Sequence, residues 1–446
     1  MSTASVIQRV KRSQERLRVQ KPPLSDMDRV KRQLHAELVE ALDFERLGQT
    51  PRDELAGQLR AVLTIQVEAR SLPLNRIERE QLVEEILDEV LGLGPLEPLL
   101  RDDTITDILI NGPEQVWVER GGVLEELDIR FQSNEHLQQI IDRIVGAVGR
   151  RVDETSPMVD ARLADGSRVN AIIPPLALDG PMMSIRRFRA DPIRAADLVG
   201  FGSVPQQVME VLQGCVRAKL NVLISGGTGS GKTTLLNVMS SFIPSNERIV
   251  TIEDSAELRM QQRHVVRLET RPPNLEGRGE VTQRDLVKNA LRMRPDRIIL
   301  GEIRGSEAID MLQAMNTGHE GSLGTVHSNS ARDALSRLET MVGMGMPNLD
   351  DRHIRETIAR SLDLVVHLDR LVDGKRRLMS VTEVVGMEGP TVTTQDIFEF
   401  QQSTVDGEGR VRGAFVATGT RPRFSDQLER FGVKLDAELF RMRVEV

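Results

Sequence analysis

Cysteine is almost missing from this sequence. The single one in 446 residues, Cys215, excludes an intramolecular disulfide and any multi-cysteine zinc site. It sits in the apolar run VLQGCVRAKL, where a small buried core residue is expected rather than a nucleophile. Aromatic residues make up 3% of the chain, too few to supply the stacking platforms that hold single-stranded nucleic acid. A basic excess is missing as well. The 59 Lys and Arg against 67 Asp and Glu give a net charge of −8, which argues against a dedicated nucleic-acid binder. No apolar run approaches the roughly eighteen residues of a membrane span. The opening MSTASVIQRVKRSQERLRVQK has no apolar stretch of a secretory signal and reads as a mobile basic arm, so the chain is expected to be cytosolic. Internal repeats and low-complexity tracts are absent.

What is there suits a soluble globular protein. Hydrophobic residues are 39% and charged residues 28%, and the length calls for two or three domains. Residues 1–24 form the basic arm and 25–93 a small helical module. In that module Val30, Leu34, Leu38 and Leu42 share one helix face. Thr50 and Pro51 open a second helix with Leu55, Leu59, Val62 and Leu63 on its apolar face, and a third starts near Asn75. Residues 94–192 alternate short β-rich runs with Asn-Gly-Pro and Gly-Gly turns around one helix, NEHLQQIIDRIVGAVG, which is an α+β pattern. Trp117, the only tryptophan, is expected in the core of that domain. Residues 193–446 form the third part. Strands and helices alternate there to about Asp369, the pattern of a parallel α/β sheet. Its expected core strands are LNVLISG, RIVTIED, RIILGEI and SLGTVHS, followed by a hairpin-like segment from Leu371 and a C-terminal extension.

The chemistry begins at GGTGSGKTT, which comprises Gly226, Gly227, Thr228, Gly229, Ser230, Gly231, Lys232, Thr233 and Thr234. It matches G-x-x-x-x-G-K-[ST], follows an expected strand and precedes an apolar helix, the context that gives this motif its meaning. The glycines let successive backbone N–H groups curl around a phosphate, Lys232 reaches the β- and γ-phosphates, and Thr233 holds Mg²⁺. ATP with Mg²⁺ is therefore the expected ligand pair. An N-K-x-D guanine reader and the L-S-G-G-Q signature of transporter ATPases are both missing.

Three further stretches narrow the reading. TIEDSAEL places Glu253 and Asp254 at a strand end, ILGEIRGSE supplies Glu302, and TGHEGSLGTVHSNSARDAL brings His319 and His327. Strand-end carboxylates fall on the ligand edge of a doubly wound sheet. One could orient or deprotonate the attacking water while another assists the metal. Asp254 could equally cap a helix.

These motifs, in this order, resemble the secretion-superfamily ATPases of type II secretion, type IV pili and type IV secretion. GLGPLEPLL, PMVDARLADGSRVNAIIPPLALDGP and AMNTGHEGSLGTVHSNSARDALSRLETM are similar to the branch that powers Tad/Flp pili. The resemblance implies a RecA-like P-loop ATPase domain preceded by an α+β, PAS-like N-terminal domain. It gives Glu302 the Walker B role beside Thr233 at the metal, makes Glu253 the water-activating base, and has His327 sense the γ-phosphate with His319 nearby. Arg162, Arg168, Arg186 and Arg187 become the cations placed against the nucleotide, and Arg271 and Arg304 subunit contacts. The implied machine is a homohexamer at the cytoplasmic face of the inner membrane, acting on a pilus platform protein and on no nucleic acid. Type IV secretion is the alternative employment of the same motor. The tetracysteine zinc module of some relatives is absent, and Ser328 stands where much of the superfamily has Thr or Ala.

Overall fold

The computed structural model describes residue 34 and residues 52–70, 72–187, 193–273 and 277–445. The chain divides into two units, Met1–Arg189 and Ala190–Val446.

In the first unit, helices α1 (Arg52–Ala69) and α2 (Arg76–Leu91) pack through Leu59, Leu63 and Val67 against Leu82, Val83, Ile86 and Leu87. The buried spacing is four residues throughout, so Val62, expected on this face, is left 45% exposed and Val67 takes its place. Asn75 accepts from the Glu78 N–H and the Glu78 carboxylate returns the bond to the Asn75 N–H, a capping box that fixes the start of α2. Leu34 is fully buried in this cluster. Val30, Leu38, Leu42, Thr50 and Pro51 lie outside the described residues.

A short helix α3 (Glu97–Arg101) leads into strands β1 (Ile105–Asn111), β2 (Val116–Arg120) and β3 (Val123–Leu127). Helix α4 (Asn134–Ala147) and strands β4 (Met158–Arg162), β5 (Arg168–Ile172) and β6 (Met182–Arg186) follow. The strands form one antiparallel sheet in the order β3-β2-β1-β6-β5-β4. Helix α4 covers one face of it, laying Leu137, Ile140, Ile141 and Ile144 into the same cluster as Ile108, Val116, Val118, Val169 and Ile185. Trp117 stands between the fully buried Val116 and Val118. Strand alternation therefore turns its indole to the opposite, half-buried face, and the expected core tryptophan is not in the core. Helix α4 is also tied to α2, since His136 Nε2 lies 2.9 Å from Glu89 Oε2 and Arg143 donates to the Glu89 and Gly92 carbonyls.

The second unit opens with α5 (Ala195–Gly200) and α6 (Gln206–Arg217), then β7 (Val222–Gly226), α7 (Lys232–Ser240), β8 (Ile249–Glu253) and β9 (Val265–Glu269). It continues with α8 (Gln283–Ala290), β10 (Arg297–Ile303), α9 (Glu307–Asn316), β11 (Leu323–His327), α10 (Ala331–Gly345), α11 (Asp351–Ser361) and β12 (Leu364–Arg370). The chain ends with β13 (Arg376–Glu388), β14 (Thr391–Val405), β15 (Val411–Ala417), α12 (Ser425–Arg430) and β16 (Arg443–Glu445). These strands make one sheet, β16-β15-β14-β13-β12-β7-β11-β10-β8-β9. It is parallel from β12 to β9 and antiparallel beyond, with α6 and α7 packed into one apolar cluster and α8 to α11 into the other. This is the expected mixed α/β class.

The four expected core strands are β7, β8, β10 and β11, and two more, β9 and β12, complete the parallel part. Strand β9 is an edge with an uneven burial pattern, and β12 carries a histidine inside its apolar run, so neither gave a clear signal. The hairpin expected after Leu371 is the β12–β13 pair, with its turn at residues 371–375. Cys215 is buried on α6, and burial pushes its thiol well above the ordinary range. Among the described residues no helix is long and apolar enough to cross a membrane.

Candidate functional site at the C-terminal edge of the parallel sheet

All five residues of β7 are buried, and the chain leaves the sheet at Gly226 between β12 and β11, the crevice where strand order switches. The loop ends at Gly231, whose φ of +98° precedes the first turn of α7. Lys232 and Thr233 therefore stand at a helix N-terminus, where N–H groups and the helix dipole favour an anion. Lys232 is 7% exposed, and its Nζ donates to the carbonyls of Gly226 (3.0 Å) and Gly227 (2.7 Å). Nothing lies within 4 Å of a side-chain position at Gly227, so the loop keeps an open face for a phosphate chain. The residues present fit a Mg-nucleotide: backbone donors and Lys232 for phosphate, Thr233 and a nearby carboxylate for the metal.

The carboxylate is Glu302. His327 closes β11 directly beside Gly226, with Nδ1 3.4 Å from Lys232 Nζ and Nε2 3.1 Å from Glu302 Oε1. Burial first, then the Lys232 charge, pushes the imidazole below its ordinary value. The neutral ring accepts at Nδ1 and donates from Nε2, a tautomer assigned from these partners. Glu302 Oε2 also accepts from Arg304 (2.8 Å), which reaches on to Asp254 Oδ2 (2.9 Å). Burial alone would raise the Glu302 carboxyl, but the Arg304 hydrogen bond and charge, with His327 and Lys232, hold it below the ordinary carboxylate range. Asp254 caps no helix; its Oδ1 instead takes a bond from Thr270 Oγ1 (3.3 Å).

Glu253 differs in kind. It is 3% exposed at the end of β8, and Oε2 accepts from the Glu257 and Leu258 N–H groups at 2.6 and 2.8 Å. Its Oε1 has no hydrogen-bond partner among the described residues. Burial raises the carboxyl to about 7, against the pull of those two N–H groups. The glycine of the Gly-Glu pair has a reason here. A Cβ on Gly301 would come 3.0 Å from Glu253 Cγ, so any side chain would press on the buried carboxylate. The Gly301 carbonyl is in turn held by Thr325 Oγ1 (2.6 Å).

Two expected site residues are elsewhere. His319 precedes β11 and His327 ends it, so the strand separates them by roughly 15 Å and puts them at opposite edges of the sheet. Within one chain His319 does not support His327. Arg187 is spent inside the first unit, where its guanidinium donates to the Leu99 and Asp102 carbonyls and is 10% exposed. It ties the end of β6 to the loop before β1. The other three arginines form a row on the first unit. Arg162, Arg168 and Arg186 are direct cross-strand neighbours on β4, β5 and β6, and Arg186 faces Asp107 on β1. Arg271 donates to Gly279 O (2.6 Å). Sequence reasoning missed two groups at the loop: Arg376 of β13, whose Nε donates to Gly229 O (2.8 Å), and the buried His367 of β12. Only His367 had a signal, a polar ring inside the run LVVHL.

The model of the type II/IV secretion system protein family matches residues 89–412, which span the arginine row, the phosphate loop and the carboxylate–histidine array. The chain belongs to that family. A Mycobacterium tuberculosis relative of this secretion-family chain, named "Putative conjugal transfer protein", is 40% identical over 307 residues, covering 68% of this chain and 87% of that one. The Type IV secretion system protein PtlH homolog of Bordetella bronchiseptica is 34% identical over 327 residues, covering 67% and 96%. Among solved structures, the VirB11 ATPase of the Brucella suis type IV secretion system, crystallised with sulphate, is 28% identical with a TM-score of 0.36 and covers 65% and 92%.

Proposed function

We propose that this chain hydrolyses ATP as a motor of the secretion family. The observation that carries the reading is the array at one sheet edge: Lys232, His327 and Glu302 in hydrogen-bond sequence, with a near-neutral, buried Glu253 beside Gly301. Gly226, Gly227, Thr228, Gly229, Ser230, Gly231 and Thr234 form the cradle, and Lys232 balances phosphate charge. The Thr233 hydroxyl and the Glu302 carboxylate hold Mg²⁺, which when bound neutralises phosphate charge and polarises the terminal phosphoryl group. Glu253, with a carboxyl near 7, suits a general base at physiological pH. His327 reads the γ-phosphate position.

Arg162, Arg168 and Arg186 complete the site from the chain's own or a neighbouring subunit. Arginine suits the task because its planar, permanently charged fork can neutralise charge spread over γ-phosphate oxygens. The working assembly is a homohexamer, peripheral at the cytoplasmic face of the inner membrane, acting on a membrane platform protein to assemble a Tad/Flp-type pilus. The names of two relatives favour a second employment, type IV secretion or conjugal transfer, with the same chemistry and a different platform.

Glu302→Gln is the test. Affinity for a non-hydrolysable ATP analogue stays within about threefold while kcat falls roughly a hundredfold or more. An unchanged kcat removes Glu302 from the reaction. Native mass with and without that analogue tests the ring, which a monomer or dimer in both conditions would rule out.

A further inference from the structure

His367 has no place in the site so far, yet it is buried directly behind the phosphate loop. Strand β12 flanks β7 on the side away from β11, with His367 opposite Ser225 and Leu368 opposite Gly226. The fit there is tight, because a Cβ on Gly226 would stand 2.3 Å from the Leu368 carbonyl oxygen. His367 is 6% exposed, and its Nδ1 lies 2.9 Å from Ser225 Oγ, the last side chain before the loop. The ring's other neighbour is the Asn329 backbone, which favours the protonated imidazole and therefore turns its carbonyl toward the ring. With Nδ1 facing Ser225, Nε2 is the nitrogen left to donate.

Asn329 is two residues beyond His327. The chain leaving β11 must therefore cross the end of β7 to reach β12, and on the way Ser328 N–H donates to Gly226 O (3.3 Å). The far side of this crossing is anchored too, since Asn329 N–H donates to Asp333 Oδ2 (2.8 Å) and Ser330 caps α10. His367 thus stands between the root of the phosphate loop, which it bonds, and the exit of the His327 segment, the two pieces that set the 3.4 Å separation of Lys232 and His327.

We propose that His367 is a positioning residue for ATP hydrolysis, clamping the Ser328–Asn329 crossing to Ser225 so that His327 stays in register with Lys232. This rests on the reading of His327 given above. The imidazole touches no reacting group. Burial lowers its proton affinity and keeps it neutral, so one tautomer accepts from the Ser225 hydroxyl and donates to the Asn329 carbonyl. Loss of the clamp frees the crossing by a fraction of an ångström to an ångström, a displacement able to cost on the order of tenfold to a hundredfold in rate.

The experiment is a cycle of His327→Ala, His367→Leu and the double variant on the full chain, reading kcat, affinity for a non-hydrolysable ATP analogue, and Tm. His367→Leu is expected to lower kcat about tenfold with affinity within about threefold, and the double variant to match His327→Ala alone. Multiplying losses in the double variant would show that His367 acts on folding or packing and not through His327, and would overturn the proposal. An unchanged kcat in His367→Leu would do the same. If His327→Ala itself turns over like the wild type, the reading of His327 fails first and takes the clamp with it. Should His367→Leu not fold, Ser225→Ala removes the other half of the clamp and must show the same loss without additivity, while His367→Gln, which can still donate to Asn329, should recover part of the rate.

Discussion

The two edges of the parallel sheet are built on different terms. At the N-terminal edge Asn221 and Arg297 are each held by several partners, although His319 Nδ1 and Ser361 Oγ there have none among the described residues. Asn221 donates from Nδ2 to Met315 O and Ser361 O, accepts at Oδ1 from Gly321 and Ser322 N–H, and donates its own N–H to Asp363. Arg297 is fully buried and pairs with Glu247 while donating to Val216 O (2.7 Å) and Gly321 O (3.2 Å). At the C-terminal edge Glu253 Oε1 and Ser328 Oγ have no partners among the described residues, and Lys232 leans on the carbonyls of its own loop. Buried polar groups are normally satisfied, so the orphaned oxygen of a buried carboxylate, Glu253 Oε1, is a place where the fold gives up stability.

That contrast breaks if a change at the matched edge is harmless. Arg297→Ala leaves Glu247 buried without its cation and should cost about 3–5 kcal/mol of stability. Denaturant melts would measure it, and a loss under about 1 kcal/mol would mean the network is incidental.

Glu253 sharpens the contrast through pH. Its folded carboxyl titrates near 7 against an ordinary 4.5, so the native state keeps a proton that the unfolded chain releases. The stability it lends is therefore complete below about 4.5 and is lost as pH rises through about 7. The full difference is on the order of 3 kcal/mol. Glu253→Gln should raise Tm over the wild type more at pH 8 than at pH 5, and an equal offset at both would contradict the burial argument. The same group predicts that kcat of the wild type climbs with pH through about 7 as the base ionises, and that Glu253→Gln loses both the climb and most of the rate.

The smallest effect belongs to His319. Its carbonyl accepts from Ser322 Oγ at the matched edge (2.8 Å), far from the loop in the same chain. His319→Ala should change kcat by less than about twofold. A tenfold loss at unchanged Tm would bring this histidine to the nucleotide across a subunit boundary.

Local chemistry explains what could be read in advance. The phosphate loop, Glu302 and His327 each follow a short apolar strand, and a parallel strand delivers its last residue to one known edge. The start of α2 near Asn75 was read in the same way, from the local sequence alone. The errors came where spacing has two solutions. His319 and His327 lie eight residues apart, and an intervening strand separates them instead of pairing them. Trp117 and Arg187 sit at positions where alternation or a strand end decides the direction, and neither decision is written in the residue itself.

The sequence by itself determined the α/β class, the glycine-rich loop that leads from β7 into α7 and the acids and histidine at the neighbouring strand ends, because these depend on periodicity and on runs of a few residues. Tertiary structure alone decided that Gly301 makes room for Glu253, that Arg304 and His327 share the Glu302 carboxylate, and that His367 reaches Ser225. Those contacts join strands that are neighbours only after the sheet has been ordered, and strand order is set by long-range packing that no local pattern encodes.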